Sequence, residues 1–143
     1  MSKSDTADMI LGILETVNTI ALVGASNKPA RPSYQVMEYM QSKGYKVIPI
    51  NPGQAGNEIL GETVYASLEE APGPIDMVDI FRPSEAAGDV VREAIRLSDD
   101  KGITVAWMQL QITNDKAKKE AEEAGLVVVQ NRCPKIELQK TEA

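Results

Sequence analysis

Five short apolar segments constrain this chain more than any other feature. They lie at 20–23, 45–50, 76–81, 103–108 and 126–129, and each is too short to form a useful helix. Around them run stretches whose apolar residues recur three and four apart. These are 5–15 with Met9, Ile10, Ile13 and Leu14, 33–43 with Val36, Met37 and Met40, and 82–97 with Val90, Val91, Ala94, Ile95 and Leu97. A fourth, charged stretch begins at Thr113 or Asn114 and ends near Ala124. Strands that are apolar along their whole length are buried on both faces, which requires helices on both sides of a parallel sheet. The pattern predicts an α/β fold: a Rossmann-like, doubly wound sheet of five parallel strands in the order 3-2-1-4-5, with helices on both faces. Gly44 and Gly125 are placed to end two of the helices, and Asp5 or Thr6 to cap the first. Residues 54–63 read as a loop long enough to fold over a ligand, 67–70 as a short helical turn, and 130–143 as a polar tail, loose beyond Leu138. At 143 residues and 43% apolar content, the chain suits one domain with its core between about 15 and 138.

In such a sheet, ligands bind beyond the carboxyl ends of the strands, at the switch point beside the first one. The stretch that reaches this point is TIALVGASNKPARPS, Thr19 to Ser33. Gly24 stops the apolar run, a small polar loop follows, and Pro32-Ser33 open a helix. Backbone N–H groups and a helix N-terminus in this arrangement face an anion, and Lys28 and Arg31 add positive charge. Neither common phosphate motif is matched. Gly24-Ala25-Ser26-Asn27-Lys28-Pro29 keeps only the first glycine of G-x-G-x-x-G, and no Gly-Lys-Ser/Thr ending occurs. Alone, the stretch is equally a structural turn or a phosphate loop.

The ends of the other strands favour a ligand. Asn51-Pro52 follows the second, Arg82-Pro83 the third, Trp107-Met108-Gln109 closes the fourth, and Asn131-Arg132-Cys133 follows the fifth. Three arginines, a lysine, a tryptophan, three amides and the only thiol would crowd one rim. The neutral Asn51-Pro52 lacks the carboxylate that an NAD ribose diol needs, which disfavours NAD and permits NADP or coenzyme A.

A net charge of −6 argues against nucleic acid, so a polyanion would be held by local cations and amides. The absence of histidine excludes Ser-His-Asp catalysis and histidine metal sites within the chain. One cysteine suits a reducing cytoplasm, and nothing in the first residues reads as a signal peptide or membrane span.

VGAS…RPSY (23–34), GYKVIPINP (44–52), EILGE..YASL (58–68), VDIFR (78–82), WMQL (107–110) and NRC (131–133) together resemble the small stand-alone CoA-binding domain proteins. They are more distantly similar to the N-terminal domain of the succinyl-CoA synthetase alpha subunit. The resemblance spans about residues 15 to 138. It implies a CoA pyrophosphate on Gly24-Ala25-Ser26, an adenosine side lined by Ile50-Asn51-Pro52, and Phe81-Arg82 against the pantetheine or phosphate region. The sequence departs from the family at Gln111, where glycine is expected, and at Asn131, where aspartate is commoner.

The resulting expectation is a cytoplasmic protein that binds coenzyme A or an acyl-CoA and has no catalysis of its own. Gly24, Ala25 and Ser26 would contact phosphate, Lys28 and Arg31 supply charge, and Ser33 lie at the helix start. Ile50, Asn51 and Pro52 would bound the adenosine pocket, with Phe81, Arg82, Trp107 and Gln109 along the rest of the ligand. No nucleic acid, membrane or metal is expected as a partner, and a homodimer or a protein partner stays open. The alternatives are an NADP- or acyl-CoA-dependent enzyme in the same crevice and a ligand-free interaction module. Glu58, Glu62 and Asp79 are unremarkable by position as bases.

Overall fold

The computed structural model describes residues 3–142. In chain order the elements are α1 (Lys3–Thr16), β1 (Thr19–Val23), α2 (Pro32–Ser42), β2 (Lys46–Ile50), β3 (Glu58–Ile59) and β4 (Glu62–Thr63). They continue with β5 (Met77–Ile80), α3 (Ser84–Lys101), β6 (Val105–Met108), α4 (Asp115–Glu123), β7 (Val127–Val129) and α5 (Pro134–Thr141). Five strands form one parallel sheet, ordered β2-β1-β5-β6-β7.

Because the strands are apolar on both faces, the sheet carries two cores. On one face α3 and α4 set Val91, Ala94, Leu97, Ala117 and Ala121 against Ala21, Val78, Ala106 and Val128. On the other, α1 and α2 set Ile13, Leu14, Val36, Met37 and Met40 against Ile20, Leu22, Met77, Val105 and Trp107. This is the expected α/β Rossmann-like architecture.

The strand filling the third place differs from expectation. Segment 76–81, expected as strand three, is β5 and lies between β1 and β6. The outer place beside β2 is held by Tyr65, through one parallel bridge to Ile50. Asn51 N–H donates to Tyr65 O at 2.9 Å and Tyr65 N–H to Pro49 O at 3.1 Å. With this vestigial strand counted, the sheet runs 3-2-1-4-5 and then β7. Pro49 explains why the edge pairing stays so short. Its carbonyl faces outward to Tyr65, and a proline has no N–H to extend the ladder on that side.

Other expectations moved as well. Residues 54–63, expected as a loop, are largely regular structure. A 3-10 turn (Pro52–Gln54) is followed by the β3–β4 hairpin, whose two-residue turn places Leu60 and Gly61 at φ 50° and 83°. Residues 67–70 remain a turn, with Glu70 N–H donating to Ser67 Oγ, and form no helix. Helix α3 runs on to Lys101, where left-handed Gly102 donates to Ser98 O. The tail expected to be loose beyond Leu138 is helix α5, and α1 begins at Lys3, so that Asp5 and Thr6 lie inside it. Gly44 and Gly125, at φ 96° and 94°, do follow the ends of α2 and α4.

Candidate functional site

The carboxyl end of β1 leads into a cleft of about 370 Å³ lined by Gly24, Ser26, Asn27, Lys28, Arg31, Pro32, Ser33, Gln54 and Phe81. Gly24 has φ +97°, and a Cβ built on it would lie 2.6 Å from Phe81 O. The turn therefore needs glycine for the fold itself, because the backbone passes against the end of β5. Five residues expected at a ligand, Gly24, Ser26, Lys28, Arg31 and Ser33, are brought together here, with Phe81 forming part of the wall.

The amides divide differently from expectation. Gly24 N–H and Ala25 N–H both donate to Ile50 O, at 3.0 and 3.2 Å, because the β1–β2 ladder continues beyond the strand. Neither is free for an anion, and Ala25 is buried. Among the described residues, the N–H groups of Ser26, Asn27, Ser33 and Tyr34 find no acceptor in the protein. Helix α2 starts with Arg31 as N-cap and no side-chain cap, followed by Pro32, which leaves its first turn open toward the cleft. Lys28 N–H is taken by Ser26 Oγ at 3.1 Å.

Asn51 acts as a bracket. Its Nδ2 donates to Ala25 O and its Oδ1 accepts from Gly53 N–H, both at 2.8 Å, which fixes the loops after β1 and β2 to each other. Pro52 and Ile50, with Val23, Ser67, Arg82 and Val90, line a second hollow of about 240 Å³ on the α3 side of the same edge. Arg82 is exposed there and does not reach the first cleft.

Trp107 does not reach either hollow. It is fully buried and donates its indole N–H to Arg132 O at 2.7 Å, so it holds the β7–α5 connection in place. Gln109 is 5% exposed, its N–H donates to Ile80 O at 3.2 Å, and its Oε1 has no partner. Cys133 is a buried free thiol at the N-cap of α5.

Asp79, set aside on sequence position, stands out in the fold. It lies in the middle of β5 between Leu22 and Trp107, is 1% exposed, and its Oδ1 has no partner. Burial, with no neighbouring charge to offset it, pushes the carboxyl well above the usual range. The two departures noted in the sequence meet in space. Gln111 and Asn131 both have left-handed backbones, φ 68° and 59°, and Gln111 N–H donates to Asn131 Oδ1 at 2.7 Å. A positive φ accounts for the glycine expected at position 111.

A doubly wound parallel sheet with an open polar crevice at its switch point defines a Rossmann-like ligand-binding class. Residues 18–139 match the family model described as CoA binding domain, and the chain belongs to that family. It is 37% identical over 124 residues to the uncharacterised Bacillus subtilis protein YneT, covering 87% of each chain. A hypothetical protein from Pyrococcus horikoshii has the same fold at TM-score 0.87 and 39% identity, covering 96% of this chain and 92% of that one. The alpha subunit of ADP-forming acetate–CoA ligase II from Pyrococcus furiosus is 30% identical over 105 residues, 73% of this chain and 22% of that subunit. The chain thus spans about a fifth of that subunit.

Proposed function

We propose that the protein binds coenzyme A or an acyl-CoA across the carboxyl edge of the sheet, as a binding or regulatory protein without catalysis of its own. The observation that carries this reading is the coincidence of the family's ligand class with a crevice whose polar groups suit a phosphate. Lys28, Arg31 and the open N–H groups of Ser26, Asn27 and Ser33 line or border that crevice. The pyrophosphate fits the β1–α2 cleft. The adenosine fits the more apolar hollow at Ile50, Pro52 and Val90, and the arm would continue past Phe81. With no histidine in the chain, a general base in the crevice would have to be a carboxylate such as Asp89 or Glu93, or an amine.

One melting series tests this, with CoA, acetyl-CoA, dephospho-CoA, NAD and NADP at equal concentration. A ligand that binds only the native state stabilises it by about 2.7 kcal/mol at a hundredfold excess over Kd. CoA and acetyl-CoA are expected to raise Tm alike, and NAD to do little. Dephospho-CoA should fall short of CoA if Lys28 or Arg31 meets the 3′-phosphate, a difference that Lys28→Ala should erase if Lys28 is the contact. A shift with a nicotinamide nucleotide and none with CoA would overturn the proposal.

A further inference from the structure

The parallel sheet has two edges, and the chain closes only one of them. Beside β2 stand Tyr65 and the β3–β4 hairpin, the latter tied to the strand through Lys46 and Glu62 at 3.4 Å. The other edge is β7, and among the described residues nothing pairs with its outer side. Val127 N–H donates inward to Thr104 O at 2.9 Å, and backbone groups alternate sides along a strand, so Val128 N–H and C=O point outward. Among the described residues, Gln130 N–H finds no acceptor and Leu126 O no donor. Val128 and Gln130 line a groove of about 320 Å³, walled by Met9 and Ile10 of α1 and by Lys118 and Glu122 of α4. The Gln130 side chain does not cover the edge, because it is turned to Asn114 N–H and Asp115. The strand Val127-Val128-Val129 holds no charge, proline or bulge of the kind that blunts an open edge, and Val127 is 39% exposed.

We propose that a second copy of the chain docks on this edge, β7 against β7, antiparallel about a twofold axis at Val128. The open backbone groups match themselves under that operation. Val128 N–H and C=O exchange two hydrogen bonds with Val128 of the second copy, and Gln130 N–H of each copy meets Leu126 O of the other. Val127 then faces Val129 of the second copy on the α1 side, a β-branched cross-strand pair that covers its exposed surface. On the opposite face of the sheet, α4 runs antiparallel to its mate. Lys118 and Glu122, one helical turn apart and of opposite sign, are joined at 3.3 Å within the single chain. The axis sets Lys118 opposite Glu122 of the second copy, and Glu122 opposite Lys118 of the second copy. That self-complementary charge selects a second copy over an unrelated strand, which would match the backbone groups alone. The groove shares no lining residue with the β1–α2 cleft, so the pairing is independent of the CoA reading.

Sedimentation equilibrium of the full chain over a range of concentrations tests this. The wild-type protein should approach twice the chain mass of 15.5 kDa. Lys118→Glu sets like charges opposite each other twice over, because the axis repeats every contact, and should weaken the dimer about tenfold. Adding Glu122→Lys to it reverses both signs and should restore wild-type association. Val128→Pro removes the central outward donor and should give a monomer. A wild-type protein that stays monomeric up to about 1 mM overturns the proposal. So does a dimer that Lys118→Glu and Val128→Pro both leave intact. A loss that the double reversal fails to restore refutes the axis at Val128. Should Val128→Pro not fold, the charge reversals decide alone, since Lys118 and Glu122 both lie at the surface.

Discussion

At the scale of single residues, Asp79 shows how far burial alone moves chemistry. The folded chain keeps the carboxyl protonated above the value of 3.8 at which an ordinary aspartate titrates, whereas the unfolded chain releases the proton there. Between the unfolded and folded pKa the native state binds the extra proton, so the contribution of Asp79 to stability is complete below the unfolded value. It is lost as pH rises toward the folded one. Asp79→Asn removes that titration while keeping the shape. The stability of Asp79→Asn relative to wild type should therefore rise from pH 4 to pH 8, read as the difference in Tm between the two proteins at each pH. Parallel curves would show that Asp79 ionises freely. Gly24, Lys28, Arg31 and Ser33 could be grouped from the sequence because strand ends in a doubly wound sheet converge by rule, and they line one cleft. The internal partners of the Ala25 and Trp107 N–H groups, Ile50 O and Arg132 O, come from other strand ends that no linear spacing reveals.

At the scale of elements, what went unread is what carries little periodicity. Strands β3 and β4 have two residues each, and their turn uses Leu60-Gly61 where Asn-Gly would have announced a hairpin. Helix α5 buries only Pro134 and partly Leu138 while Ile136 is exposed, so no apolar stripe marks it. The α3–α4 contact supplies a test of where packing outweighs propensity. Gly88 sits inside α3, where alanine is favoured by about 1 kcal/mol. A Cβ there would lie 2.7 Å from Asn114 Nδ2. Asn114 is not free to move aside. Its Oδ1 caps α4 through Ala117 N–H, and its Nδ2 donates to Ser84 O, both at 3.0 Å. Losing a cap costs about 1 kcal/mol and the link to Ser84 a similar amount, so Gly88→Ala should lower stability despite its better propensity. In an Asn114→Ala background the same substitution should become neutral or stabilising. Denaturant unfolding of the four proteins in this cycle measures the coupling, and additive effects would refute it.

At the scale of the whole molecule, the proposed site works against its own surroundings. The chain carries −6 overall, yet the crevice gathers Lys28 and Arg31 beside an open helix N-terminus. A polyanion approaching from a distance meets the net field first, and only within the last few ångströms do the local cations and N–H groups dominate. Salt separates the two ranges, since the screening length falls from about 30 Å at 0.01 M to about 8 Å at 0.15 M. Raising ionic strength across that interval should speed CoA association by removing long-range repulsion. It should also speed dissociation by weakening the contacts at Lys28 and Arg31. The two effects oppose each other in Kd, which should change little, in contrast to a basic protein, where added salt slows association steeply. Stopped-flow mixing at the two salt concentrations reads both rates directly. A steep fall in association rate with salt would mean that the crevice's own field extends beyond the acidic surface, and that net charge has no part in how the ligand arrives.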